Sequence, residues 1–373
     1  MQATHGLVVS SLRSRIRMIG MLAITLTLSA LVFASTAGAR KQPPPQSYLA
    51  LGDSLAFGYS QQLFNENEHL GEPPSAFEAG YTNDYLKMAQ MGSENKGLAL
   101  INEGCPGETT DSMIGDGPLA AAMETYLGAK GEAPCAYHYT DGLPLHNEYG
   151  GSKSQLENAL ETIAVGAGTG KPVTLLTLNI GANDELHQIA ACERQVGEEV
   201  AKGEVEPTEA AEKAALKKCI EEHVFELFEH ILRNVGASLY VIRHGSEFGG
   251  VNYEGKIVVQ GGYDPYGNVY GTGELLESSN ALASLLNEHE AALVTAKNKL
   301  NEEGEPEFGA EACYANPQPK FDPENKKEPG RLSAWTNMAN FGEYEGKKDG
   351  PDIHPTPEGY MKLAKIMRAD CGA

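Results

Sequence analysis

Apolar residues in this chain fall in short unbroken runs separated by longer stretches in which they recur every three or four positions. The runs Tyr48–Leu51, Ala99–Ile101, Val173–Leu178, Leu239–Ile242 and Ile257–Val259 are brief and rich in Leu, Ile and Val, the pattern of strands buried on both faces. Helical spacing occupies Asn83–Met91, Lys153–Ala164, Pro207–Asn234, Gly273–Asn301 and Pro357–Ala369. Strand and helix therefore alternate, which predicts an α/β fold with a parallel sheet covered by helices on both faces. Four further stretches, Gln61–Gly80, Asp116–Gly151, His187–Glu206 and Gly304–Asp349, have weak periodicity and many Gly, Pro and charged residues. They are expected to be insertions, either surface elaborations or the rim of a substrate cleft.

The chain opens differently. Arg13, Arg15 and Arg17 precede an apolar run from Met18 to Phe33 and then Ala37-Gly38-Ala39, the charged, hydrophobic and small-residue parts of a secretory signal. That run is short for a membrane span of ~20 residues. The expected organisation is a signal peptide over residues 1–39, a Pro-rich leader over 40–46 and a single domain over 47–373, exported as a monomer without a membrane span.

A formal charge of −22, from 51 acidic against 29 basic residues, repels phosphate backbones and anionic headgroups and excludes nucleic-acid partners and polybasic membrane docking. The six cysteines, Cys105, Cys135, Cys192, Cys219, Cys313 and Cys371, contain no CxxC pair. An even set in an exported chain points to three disulfides. Pairing in sequential order is expected, because it staples each long excursion locally.

Candidate chemistry gathers where strands end. Leu49-Ala50-Leu51-Gly52-Asp53-Ser54 delivers a serine to the tip of the first strand; a helix starting there would favour negative charge near the hydroxyl, though Ser is also an ordinary cap residue. In Asn102-Glu103-Gly104-Cys105-Pro106-Gly107, after the second strand, Gly107 either lets its N–H approach a ligand or merely makes a turn. Asn183, in Asn179-Ile180-Gly181-Ala182-Asn183-Asp184, can donate its amide to a developing oxyanion or cap the next helix. His354 stands between Ile353 and Pro355 just before the last helix; a loop stiffened by prolines could present it as a general base.

Together and in this order, Gly-Asp-Ser, Gly107, Gly-x-Asn-Asp and a late His-Pro resemble the GDSL family of SGNH hydrolases, over roughly residues 47–369. The resemblance implies a three-layer α/β/α fold of flavodoxin-like type and hydrolysis of esters or thioesters without a cofactor or metal. It implies Ser54 as nucleophile, His354 as base, and an oxyanion hole from the N–H groups of Ser54 and Gly107 and the side chain of Asn183. The family has Asp three residues before His, where this chain has Pro351. The orienting group is then Asp352, Asp349 or a backbone carbonyl, with Asp352 preferred.

The implied substrate is a lipid or small acyl ester. The alternatives are removal of acetyl groups from a polysaccharide, for which a single tryptophan, Trp335, offers little stacking surface, and a non-catalytic binding protein that keeps the fold. Gly166–Lys171 lacks phosphate-loop spacing and reads as a helix-to-strand loop. Tyr263–Gly267 reads as a turn whose aromatics could line the crevice, His223 and His230 as a half-exposed helix face, and the leucines between Leu275 and Leu293 as a core-facing stripe.

Overall fold

The computed structural model describes residues 45–372 except 136–137, 139–141, 150–152, 266–273, 297–298, 301–305, 308–309 and 322–331. The expected signal peptide and most of the leader lie outside the described residues, as do Tyr266 and Gly267.

Five strands, β1 (Gln46–Gly52), β2 (Leu98–Asn102), β3 (Val173–Asn179), β4 (Lys256–Gln260) and β5 (Cys313–Ala315), form one parallel sheet in the order β2-β1-β3-β4-β5. This is the flavodoxin-like order, in which ligands settle outside the C-terminal ends of the strands where the winding reverses, here beside β1 and β3. One face buries Leu49, Leu51, Leu176, Leu178, Ile257 and Val259 against helices that include α5 (Pro118–Leu127), α6 (Gln155–Thr169) and α8 (Glu209–Arg243). The other face buries Tyr48, Ala50, Leu175 and Val258 against α3 (Tyr81–Ala89) and α10 (Pro357–Cys371). Alternate residues of each strand thus enter opposite cores. The architecture is three-layer α/β/α.

Two expectations are corrected. Leu239–Ile242 is not a strand; it lies inside α8, a helix of 35 residues whose C-terminal half is buried on nearly every side from Asn234 to Ile242. A short apolar run buried all round has the same composition in either conformation, and here helical continuity from the Thr208 cap prevails. The expected insertion His187–Glu206 is helical over most of its length, as part of α7 (Ala182–Lys202). The fifth strand, inside the expected insertion Gly304–Asp349, is only three residues long. It is held by β4 and by a disulfide rather than by an apolar run of its own.

The disulfides join Cys105 to Cys135, Cys192 to Cys219 and Cys313 to Cys371, each between successive cysteines. The second links α7 to α8 across a sequence separation of 27. Closing a loop of that length removes denatured-state entropy worth about 3.5 kcal/mol. The Cys192→Ala/Cys219→Ala variant is therefore expected to lose roughly that stability in urea unfolding; a change under about 1 kcal/mol would contradict the loop-entropy account.

Candidate active site

Gly52 ends β1 with φ +130°, and a Cβ there would stand 2.0 Å from the carbonyl oxygen of Asn179. Only glycine lets the tips of β1 and β3 approach so closely. Gln155, fully buried, accepts from the Gly52 N–H at 2.8 Å and donates to the carbonyls of Gly52 at 2.9 Å and Glu103 at 2.7 Å. One side chain thereby locks the ends of β1 and β2 together. Asp53 caps the four-residue helix α1 (Ser54–Phe57) by accepting from the Leu55 N–H at 2.9 Å, and this turn sets Ser54 at the head of the crevice.

Three side chains form a relay. The Ser54 hydroxyl Oγ lies 2.8 Å from Nε2 of His354, and Nδ1 of His354 lies 2.5 Å from Oδ1 of Asp352. A carboxylate at Nδ1 keeps the imidazole proton on that side and leaves Nε2 free to accept from the serine hydroxyl. Asp352 also accepts from the Gln61 N–H at 2.9 Å and the His354 N–H at 3.1 Å. Burial pushes its carboxyl up, but the hydrogen bonds and charge of His354 outweigh burial and hold it below its usual range. Asp349, the other acid considered near His354, accepts instead from the Asn65 amide at 3.0 Å.

The loop carrying His354 is tied down by residues to which the sequence assigned no such role. Asn337 donates its N–H to the His354 carbonyl at 2.8 Å and its side-chain amide to the same oxygen at 3.1 Å. Tyr263 donates to the Ile353 carbonyl at 2.9 Å. Tyr59 stands edge-on to the imidazole, ring centroids 4.8 Å apart, and receives the Tyr360 hydroxyl on its carbonyl at 2.7 Å. None has a local signature in sequence, because each acts across a long chain separation.

Asn183 donates its amide to the Glu108 carbonyl at 2.9 Å, joining the start of α7 to the loop that holds Gly107. Gly107 has φ +80°, which glycine adopts without strain. Ser54, Asn183 and His354 line one cavity of about 110 Å³, bounded also by Leu186 and Ile189 of α7, by Leu286 of α9 (Glu274–Thr295), and by Tyr263. Gly107 is not among its lining residues. Tyr263, from a segment read in sequence as a turn whose aromatics could line the crevice, is a wall of this cavity. His223 and His230 hydrogen-bond within the helical layer, the first to the Cys219 carbonyl and the second to Asp111.

Carboxyls crowd the interior around the site. Burial pushes Asp53 up to about 7, Glu185 to about 7, Glu103 to about 7, Glu108 to about 8 and Glu290 to about 8. Glu290 has independent geometric support for being protonated. Tyr314 Oη lies 2.5 Å from Oδ1 of Asn287 and 2.9 Å from Oε2 of Glu290, yet a phenol has one proton. The Asn287 amide nitrogen is engaged by the carbonyls of Gly262 and Ala283, so its oxygen must face the phenol. The contact with Glu290 then needs the carboxyl's own proton.

These groups ionise near pH 4 in an unfolded chain. Between about pH 4 and 8 the folded protein binds more protons than the unfolded one, and stability falls as pH rises through that window. The Tm is expected to be higher at pH 5 than at pH 8 by about 5 °C or more; a Tm that rises over that interval would contradict the buried neutral carboxyls. His146, held low by burial, works weakly the other way.

No protein-family model and no curated protein matches the sequence. Among solved structures, the chain is similar to the lipase Lip_vut3 from a goat rumen metagenome, with 16% identity over 88% of this chain and 98% of that one and a TM-score of 0.44. It is also similar to a protein described as a GDSL-like lipase from Parabacteroides merdae ATCC 43184, with 12% identity over 88% and 96% and a TM-score of 0.39. A third is LAE5, an α/β hydrolase from the metagenome of Lake Arreo, Spain, with 11% identity over 88% and 96% and a TM-score of 0.34.

Proposed function

We propose that this chain is an exported serine esterase of the GDSL type that cleaves carboxylic esters of lipid or small acyl groups through an acyl-enzyme. The observation that carries the reading is the Ser54, His354 and Asp352 relay at 2.8 and 2.5 Å at the winding reversal of the sheet. Ser54 Oγ attacks the acyl carbonyl and its proton passes to His354 Nε2. The carbonyl electrons move onto oxygen, where the N–H groups of Ser54 and Gly107 and the second amide hydrogen of Asn183 are assigned to receive them. The tetrahedral intermediate collapses, the alcohol leaves with the proton from His354, and water repeats the sequence to free the acid. No step calls on a metal or cofactor.

The cavity wall favours acyl chains over sugar. Leu55, Ile180, Leu186, Ile189, Ile231 and Leu286 are aliphatic, and Trp335, the single tryptophan, is 3% exposed and packed against Phe321, so it provides no stacking platform. Three disulfides and the sequence signal support export with residues 1–39 removed; among the described residues no helix is long and apolar enough to cross a membrane. The test is hydrolysis of p-nitrophenyl esters from acetate to palmitate, with a serine-directed phosphonate as a second probe. Turnover and labelling of Ser54 are expected, with longer acyl chains preferred to acetate. A folded protein that hydrolyses none and takes no label would be a scaffold instead.

A further inference from the structure

The aliphatic cavity next to Ser54 contains polar groups that the ester chemistry does not use. Glu185 from the first turn of α7 and Glu290 from α9 both line it, as does Asn287 one turn before Glu290. Glu290 is 4% exposed, and its Oε1 has no hydrogen-bond partner. A buried carboxyl oxygen left without a donor is destabilising, and a ligand's N–H can relieve it. Asp53 joins these two acids on the lining, and among the described residues no lysine or arginine does, His354 being the basic side chain there. Asp264 is buried close enough to Glu185 to repel its charge.

Three acids in an apolar wall, with no lysine or arginine among the described lining residues, form a site short of positive charge. We propose that this cavity selects esters whose acyl or alcohol arm carries a primary ammonium group, with the arm's methylenes along Leu186, Ile189 and Leu286 and the ammonium between Glu185 and Glu290. An ammonium has three N–H donors and one charge. It supplies the donor that Oε1 of Glu290 lacks, and its charge offsets the burial and mutual repulsion that keep the acids protonated; the proton displaced from Glu290 goes to solvent, and the Tyr314 hydroxyl turns from Asn287 to donate to Oε2. A neutral chain of equal length would leave both deficits in place. The overall charge of −22 favours the approach of such a substrate.

The inference rests on the esterase reading for its substrate but can be tested apart from it. Hexylammonium, 1-hexanol and hexanoate have the same chain and differ in head group, and each is titrated into the wild-type protein by calorimetry at pH 8. Hexylammonium is expected to bind at least tenfold more tightly than hexanol and hexanoate more weakly than both. It should also compete with p-nitrophenyl butyrate hydrolysis in the same order. In the Glu185→Gln/Glu290→Gln variant the ratio of hexylammonium to hexanol affinity should fall to about one. Equal or weaker binding of hexylammonium in the wild type would overturn the proposal, and so would a preference that the folded double variant keeps. If the variant does not fold, the wild-type ratio still decides. Calorimetry needs no turnover, so a protein that binds hexylammonium but hydrolyses no ester would sink the esterase reading alone.

Discussion

Replacing Ser54 with alanine is expected to lower kcat for p-nitrophenyl butyrate by on the order of 10⁴-fold to 10⁶-fold while leaving the protein folded. The hydroxyl's recorded partner is Nε2 of His354, so its removal costs the interior one hydrogen bond and no packing element. Under the proposed mechanism it removes the atom that bonds the acyl group. Because nucleophile and base act as one unit, Ser54→Ala/His354→Ala should be no slower than Ser54→Ala by itself, since either loss abolishes covalent catalysis. Single-turnover kinetics with thermal unfolding of the same samples makes the check. A Ser54→Ala protein retaining more than a tenth of wild-type turnover would show that the acyl-enzyme reading is wrong.

The second large effect is expected from Asp352→Asn, a loss of roughly 10³-fold to 10⁴-fold in kcat. The carboxylate at 2.5 Å from Nδ1 fixes which imidazole nitrogen carries the proton. A carboxamide that keeps its bond from the Gln61 N–H would turn its NH₂ toward the ring, draw the proton to Nε2 and leave no acceptor for the serine hydroxyl. Asp349→Asn serves as the comparison. Its side chain is engaged with Asn65, so turnover should fall less than tenfold even if the loop loosens. Steady-state kinetics of the two variants separates the candidates: if Asp352→Asn loses less than tenfold, that carboxylate does not orient His354.

Much of the site could be read locally. Ser54, Asn183 and His354 each follow or precede an element whose hydrophobic pattern is plain, and each element lies where its spacing places it. Strand tips in a parallel sheet all face one crevice, so residues at the ends of β1 and β3 converge without any knowledge of side-chain contacts. Between Asp352 and Asp349 the sequence supported only a preference for Asp352, which is the acid that meets His354, since two and five residues before a histidine are both within reach of a turning loop. Their separation came from Gln61 and Asn65, nearly 300 residues away in sequence, which claim one acid each.

The misread elements have a related cause. Leu239–Ile242 reads as a strand because burial on every side removes the periodicity that distinguishes helix from strand, and only the core between α8 and the sheet supplies that burial. The helix α7 was hidden by Cys192, Glu193 and Arg194 within a polar stretch; its buried side is narrow, limited in its middle to Cys192 and Val196.

By itself the amino-acid sequence determined the alternation of strand and helix, the serine and histidine that meet at the crevice, the even cysteine set and the acidity of the chain. These depend on residue type and short spacing, which local sterics and hydrophobic burial convert directly into structure. The tertiary structure alone decided which acid meets His354, which aromatic and amide groups hold its loop, and that Glu290 keeps its proton beside Tyr314. Such features depend on distances and dielectric surroundings created by elements far apart in the chain, and a carboxyl's charge is set by those surroundings, not by its neighbours in sequence.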